Sequence, residues 1–160
     1  MRELIYTDRF TGYTRTTRAE VIFYSSDWNE EDYKSDYMEW LEDNKEEYDE
    51  QDFFWWIAEQ KNYEWEDFIN SIKDIKTGRL TIYADVGRWN GRVQATRTAA
   101  DLESAIKECC GHYDDVEVLL NSDNDLVCIG HHHDGTSYYT IREGNKSIGA
   151  KVRKHLGLEA

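Results

Sequence analysis

Forty-two consecutive residues, Asp27 to Phe68, set the terms for any fold this chain can adopt. They hold 17 Asp/Glu against 3 Lys/Arg, a net charge of −14 that equals the formal charge of the whole protein. The other 118 residues hold 16 acids and 16 bases and are neutral. The same segment carries 12 of the 22 aromatic residues, and its centre, "YKSDYMEWLEDNKEEYDEQDFFWW" (Tyr33 to Trp56), has almost no aliphatic side chains. A disordered acidic tail is poor in aromatics because it buries nothing. Here there is apolar area that must be buried and charge that must stay in water, which amphipathic helices reconcile.

On a helix turning about 100° per residue, Asp32, Asp36, Glu39, Asp43, Glu46 and Glu50 lie along one line, because their steps alternate four and three. Read as one continuous helix, this stripe runs about 27 Å, with a carboxylate roughly every 5 Å. A DNA strand presents a phosphate about every 3.4 Å, so imitation of a strand needs a flanking row, supplied by Glu31, Glu42, Glu47, Asp49 and Asp52. Tyr33, Tyr37, Trp40, Leu41 and Tyr48 form the neighbouring row, expected to face the body of the protein. Like charges at i,i+4 each cost a helix about 0.2–0.5 kcal/mol, and only Lys34 and Lys45 relieve them here. Either the acids solubilise the chain, or they form a partner-binding surface with Trp40 as an aromatic anchor.

Around this block the patterns are those of a small sheet. "ELIYT" and "AEVIFYSS", on either side of "TGYTRTTR", predict a hairpin or a strand plus a loop. Ser26 or Asp27 is positioned to cap the first helix, with Glu30 and Glu31 in its first turn. Two or three helices then extend to about Lys76, with Phe54, Ile57, Ala58, Trp65, Phe68, Ile69 and Ile72 as the buried stripe and the glycine of "KTGR" as a C-cap. "RLTIYADV" alternates as a strand, "GRWNGR" is a turn, and "TAADLESAIKECC" predicts a helix with Leu102, Ala105, Ile106 and Cys109 on one side. "DVEVLL", "DLVCIGHHH" and "TSYYTIRE" read as three strands joined by "NSDN" and by Asp134-Gly135, before a basic helix around Ser147 to His155. The expected class is α+β: an acidic helical block packed with a small antiparallel sheet plus one helix. The charge shift near Thr77 divides it into a region 1–78 and a β-α-β-β-β region 79–160 closed by the basic helix.

The common hydrolase, phosphate-loop, dinucleotide and zincin motifs are missing, so no enzyme is expected. Cys109-x-x-His112 and Cys128-x-x-His131 together have the composition of a Cys2His2 zinc site. Strand parity opposes it: Cys128 and His131 point to opposite faces unless a bulge intervenes at Gly130, and His132 is the same-face alternative. The competing reading makes Cys109 and Cys128 small core residues, with no cofactor. The histidine hairpin, with Tyr138, Tyr139 and Arg142, offers a polar pocket, an RNA-contacting patch or ordinary strand residues.

No apolar run approaches the roughly 18 residues of a membrane span, the N-terminus lacks a secretory h-region, and three cysteines make a poor disulfide framework, which together suggest a cytoplasmic protein. The charge disfavours direct contact with nucleic acid or an anionic membrane. Four successive rings, Phe53 to Trp56, exceed what one helix can bury and leave both monomer and homodimer open.

"GRWNG", the helix after it and "HHHDGTSYY" resemble a group of small proteins encoded by phages and mobile elements of Gram-positive bacteria, over roughly Leu80 to Arg142. That resemblance carries no activity. In size, charge and suspected origin the chain also resembles anti-CRISPR and anti-restriction inhibitors, with the added acidic block as its specialised part. The resemblance implies a stoichiometric inhibitor in the cytoplasm of an infected bacterium. Its acidic surface would occupy the basic nucleic-acid groove of a defence effector, a Cas9-type nuclease first, and block DNA binding. The alternatives are a zinc-stabilised protein-binding module, and a small nuclease or RNA-binding protein using the histidine hairpin.

Overall fold

The computed structural model describes residues 2–8, 13–25, 30–85, 93–111, 113, 115–132 and 135–158. Their order is β1 (Arg2–Asp8), β2 (Tyr13–Ser25), α1 (Glu30–Asn44), α2 (Glu50–Ile72), β3 (Leu80–Asp85), β4 (Val93–Ala99), α3 (Leu102–Cys110), β5 (Asp115–Asn121), β6 (Leu126–His132), β7 (Gly135–Glu143), β8 (Lys146–Ser147) and α4 (Gly149–Leu156). The fold is α+β: an antiparallel sheet in the order β1-β2-β5-β6-β7-β3-β4, with β8 paired to β7, and four helices among the described residues.

The N-terminal hairpin forms, but the Thr/Arg-rich stretch is not its loop. Thr14 to Arg18 pair with Thr7 to Glu3 and belong to β2, as β-branched threonines favour extended backbone. β2 then continues onto β5, so the N-terminal strands share one sheet with the C-terminal ones. β4 was not foreseen; "VQATRTA" has too few apolar residues to register as a strand, and pairing with β3 creates it. The capping residues Ser26 and Asp27, the "GRWNG" turn and Asp134 lie outside the described residues.

α2, α3 and α4 cover one face of the sheet. Ile72, Leu80, Leu102, Ile106, Leu120, Leu126, Cys128, Ile141 and Val152 meet there in the main core. Alternation along the strands sends Leu119, Val127 and Ile129 to the opposite face, where they join Ala19 and Tyr138. α3 begins at Leu102, four residues later than the expected stretch, because Thr98 and Ala99 belong to β4; the Asp101 carboxylate caps it by accepting the Ser104 backbone N–H at 2.8 Å, and that bond holds the Asp101 carboxyl below its ordinary pKa. α2 ends at Ile72, with Lys73 as its C-cap, so the glycine of "KTGR" is not the cap.

A polar clamp closes the β5–β6 end. Asp125 is buried and accepts from Arg142 Nε at 2.9 Å, Arg142 Nη2 at 2.7 Å and Ser147 Oγ at 2.9 Å. The Asn121 side chain accepts the Asp123 and Asp125 backbone N–H groups and shapes the turn. α4 docks onto this turn: the Gly149 N–H donates to the Asn124 carbonyl at 2.7 Å, and Arg153 Nη1 donates to Glu20 on β2 at 2.9 Å. A Cβ on Gly149 would lie 2.3 Å from that carbonyl oxygen, so the contact requires glycine.

Candidate interaction surface on the acidic arm

α1 and α2 form an antiparallel hairpin with a core of its own. Tyr33, Tyr37 and Leu41 recur every fourth residue, so they share a face, and they bury against Phe53, with Trp56 and Ile57 packed beside. The Tyr37 ring lies 5.2 Å from Phe53, 5.4 Å from Trp56 and 6.0 Å from Tyr48. Burial pushes the Tyr37 phenol above its ordinary pKa, and the charges of Asp52, Asp49 and Glu46 add to the rise. Tyr33 donates to Glu64 at 2.7 Å, which ties the start of α1 to the middle of α2.

The reversal between the helices overturns the single 32–50 helix. Lys45 adopts a left-handed conformation with φ 55°, Glu46 N–H bonds back to the Leu41 carbonyl at 3.0 Å, and Asp49 caps α2 by accepting the Asp52 N–H at 3.0 Å. The physical cause is legible in retrospect. Asp49-x-x-Asp52 is a helix start, and Glu46 with Glu47 add like charge where α1 would have to continue. Asp32, Asp36, Glu39 and Asp43 remain on α1 and span about 17 Å. Glu46 lies in the turn and Glu50 opens α2, so neither extends the stripe.

All eleven acids singled out in the sequence (Glu31, Asp32, Asp36, Glu39, Glu42, Asp43, Glu46, Glu47, Asp49, Glu50 and Asp52) are exposed. The aromatic row divides: Tyr33, Tyr37 and Leu41 are buried, whereas Trp40 and Tyr48 are about two-fifths exposed, at 39% and 43%. The predicted α2 stripe holds at Phe68, Ile69 and Ile72, is half-buried at Ile57 and Trp65, and fails at the exposed Ala58 and at Phe54, which is 55% exposed, while its neighbour Phe53 takes the buried place. Of the four successive rings, Phe53 is buried, Trp56 is half-buried, and Phe54 and Trp55 face solvent.

Two depressions flank α1. One, of about 440 Å³, runs between the helices and is walled by Asp36, Glu39, Asp43 and Glu59 with Trp40 and Trp56 between them. The other, of about 580 Å³, lies between β2 and the hairpin and presents Asp32, Asp36, Glu64 and Asp67 beside Phe23, Tyr24 and Tyr33. The sequence reading missed Glu59, Glu64 and Trp56, because only the hairpin brings α2 alongside the α1 carboxylates. Carboxylates around exposed ring faces suit a guanidinium or ammonium group, which can pair with the acid and lie over the ring.

Substituting Tyr37 by alanine tests the independence of this core. Removing a buried ring costs about 3–5 kcal/mol, so hydrogen exchange should show α1 and the first half of α2 losing protection, while β5, β6 and α3 keep theirs.

The thiols and the histidine separate. Cys109, Cys110 and Cys128 are free, buried and packed in the main core. Hydrogen bonding with Cys109 first, then with Cys110, and burial push the Cys128 thiol well up. β6 pairs in unbroken register, Val116 with Gly130 and Gly130 with Ser137, so no bulge occurs there. His131 therefore points to the other face, bonded to Glu117 at 3.1 Å and Thr136 at 3.3 Å, and does not converge with Cys128. Gly130 serves a different purpose: the Tyr113 ring lies where a Cβ would be, 2.5 Å away. His112 lies outside the described residues. Among the described residues no group of three or more His, Cys, Asp or Glu is placed to hold a metal ion, and no helix is long and apolar enough to cross a membrane.

No protein-family model matches this chain, and no curated protein or solved structure matches it.

Proposed function

We propose that this protein is a stoichiometric inhibitor that binds a basic nucleic-acid groove through the α1–α2 arm and excludes the nucleic acid. A Cas9-type nuclease of a bacterial defence system is the first target, and a phage or mobile element the source. The observation that carries the reading is the arm itself. A separate aromatic core stiffens a hairpin, Glu30 to Ile72, that holds 16 acids against 3 bases, with Trp40, Phe54 and Trp55 exposed among the acids. A face kept only for solubility has no need of exposed rings, which each forgo about 1.5–3 kcal/mol of burial. Rings among like charges are what a protein interface uses as anchors within a steering field. In a Cas9-type nuclease the arginines that read the short motif beside the target, and the channel that holds the heteroduplex, are the cationic groups available.

The test is a titration of the purified protein into a Cas9–guide complex, read by binding of a labelled target duplex. Loss of duplex binding at a one-to-one ratio, relieved by added salt, is the expected result. Turnover-like inhibition far below one equivalent, or none, removes the reading for this target.

A further inference from the structure

α2 carries an uncharged face that runs out past the body of the protein. Gln51, Phe54, Trp55, Ala58, Asn62 and Trp65 fall within about 100° of the helix circumference, and Ile69 and Ile72 continue the same arc. The six acids of α2 all fall outside it. At the C-terminal end this face is buried, with Ile69 and Ile72 in the main core. At the N-terminal end it is open: Phe54 is 55% and Trp55 68% exposed, and Gln51, Ala58 and Asn62 are exposed beside them. α1 packs on the other side of α2, against Phe53, Trp56 and Ile57, so it does not cover this face. We propose that a second copy of this chain covers it, in an antiparallel α2–α2 dimer centred on Ala58.

Shape is the first reason for a second copy. A hollow of about 450 Å³ opens beside Ala58, Asn62 and Trp65, with Phe23, Tyr113 and Val116 among its other walls and no carboxylate lining it. Phe23 and Trp65 stand edge to face with centroids 5.3 Å apart, which fixes the recess. An antiparallel pair centred on Ala58 brings Phe54 opposite Asn62 of the second copy, and Gln51 opposite its Trp65. Trp55, the most exposed of the large apolar side chains described, then stands level with the hollow of the second copy, which returns its own Trp55 in the same way. Projection and recess therefore share one patch, as a two-fold interface requires. Ala58 at the crossing lets the two helix axes approach to the near end of the roughly 8–10 Å range.

Charge is the second reason. A partner with a basic groove is drawn to carboxylates and finds none on this arc, whereas two copies meet there without opposing acids. Phe54 and Trp55 expose on the order of 250 Å² per copy. With Gln51, Ala58, Asn62 and the hollow, the dimer buries about 1,000 Å², near the lower limit for a specific interface, so micromolar association is expected. Asp36, Glu39, Asp43 and Trp40 lie along the α1 side of the arm and stay open, and a target competes with the second copy only for Phe54 and Trp55. The dimer does not rest on the inhibitory reading.

Sedimentation equilibrium of the full chain, from about 1 to 200 μM and at about 0.05 and 0.5 M salt, tests the assignment. The mass should rise with concentration from 18.9 kDa toward twice that value. Salt should tighten the dimer about tenfold by screening the repulsion between two chains of charge −14, the opposite of its effect on docking into a basic groove. Trp55→Ala and Ala58→Glu, both at exposed positions, should each leave a monomer across the range with an unchanged circular-dichroism spectrum. A monomeric wild type at the highest concentration in high salt overturns the proposal. So does a dimer that persists in both variants, which puts the contact elsewhere. A monomeric wild type whose inhibition of duplex binding is lost in Ala58→Glu also overturns it, and gives this face to the target.

Discussion

Replacing Asp36, Glu39, Asp43 and Glu46 together by lysine is expected to abolish inhibition of duplex loading while the thermal transition of the sheet stays where it was. All four side chains are exposed, and the change moves the Asp27–Phe68 segment from −14 to −6, since each replacement alters the charge by two. Three of the four line the inter-helix groove, so the substitution also places cations beside Trp40 and Trp56, where a partner's arginine would have to sit. Like charge across an interface costs several kcal/mol, and the loss of steering lowers the association rate by a further factor of roughly 10–10³. The affinity should fall at least a hundredfold on these terms. The fold has little stake in the change, because α1 is held by Tyr33, Tyr37 and Leu41 on its other face. Unchanged inhibition would show that the acids are not the binding element, and the measurement is a direct competition with labelled duplex.

The second large effect concerns stability. Asp125→Ala should destabilise the protein by about 3 kcal/mol, near the low end for a buried pair that loses one partner. Asp125 receives two bonds from Arg142 and one from Ser147 at a place where the side chains are only 19% and 8% exposed, respectively, for arginine and aspartate. For a protein of this size that corresponds to a fall of roughly 6–12 °C in Tm. Calorimetry on Asp125→Ala and Asp125→Asn would check it, the amide retaining one acceptor and so part of the stability. By contrast the Lys151–Glu143 pair, with its lysine 51% exposed, should contribute under about 1 kcal/mol. A Tm unaltered by Asp125→Ala would mean the clamp follows the fold without holding it.

Where the sequence was read correctly, periodicity and turn chemistry agreed. α3 shows its apolar side at Leu102, Ala105, Ile106 and Cys109 with Asp101 ahead of it, and β5, β6 and β7 fall where three apolar runs are punctuated by Asn, Asp and Gly. The misreadings share a different cause. Phe53 and Phe54 are equally apolar, and only the position of α1 decides which is covered. The acidic stripe looks continuous from 32 to 50 because alternating steps of three and four persist across the turn. The capping aspartate at 49 was the available signal for the break. The Cys–His spacing left a zinc site and core thiols both open, and strand parity at Gly130 argued that Cys128 and His131 diverge, as they do. Glu59, Glu64 and Trp56 could not be assigned to the acidic surface from spacing on one helix, since they reach it only by antiparallel packing.

α2 belongs to both cores. Its first half closes the aromatic hairpin at Phe53, and its second half enters the sheet's core at Phe68, Ile69 and Ile72. A rod of 23 residues, about 35 Å long, therefore passes from one to the other without a joint. An acidic module on a flexible tether would have to surrender its tumbling when it docks. If the arm docks as proposed, it is aimed beforehand, so its orientation relative to the sheet would carry over into the complex and binding would forfeit less entropy. The same rigidity makes the sheet a steric shield: whatever groove the arm enters, the body must stand a fixed distance and angle from it, and a groove flanked by a wall at that angle is closed to this protein whatever its charge.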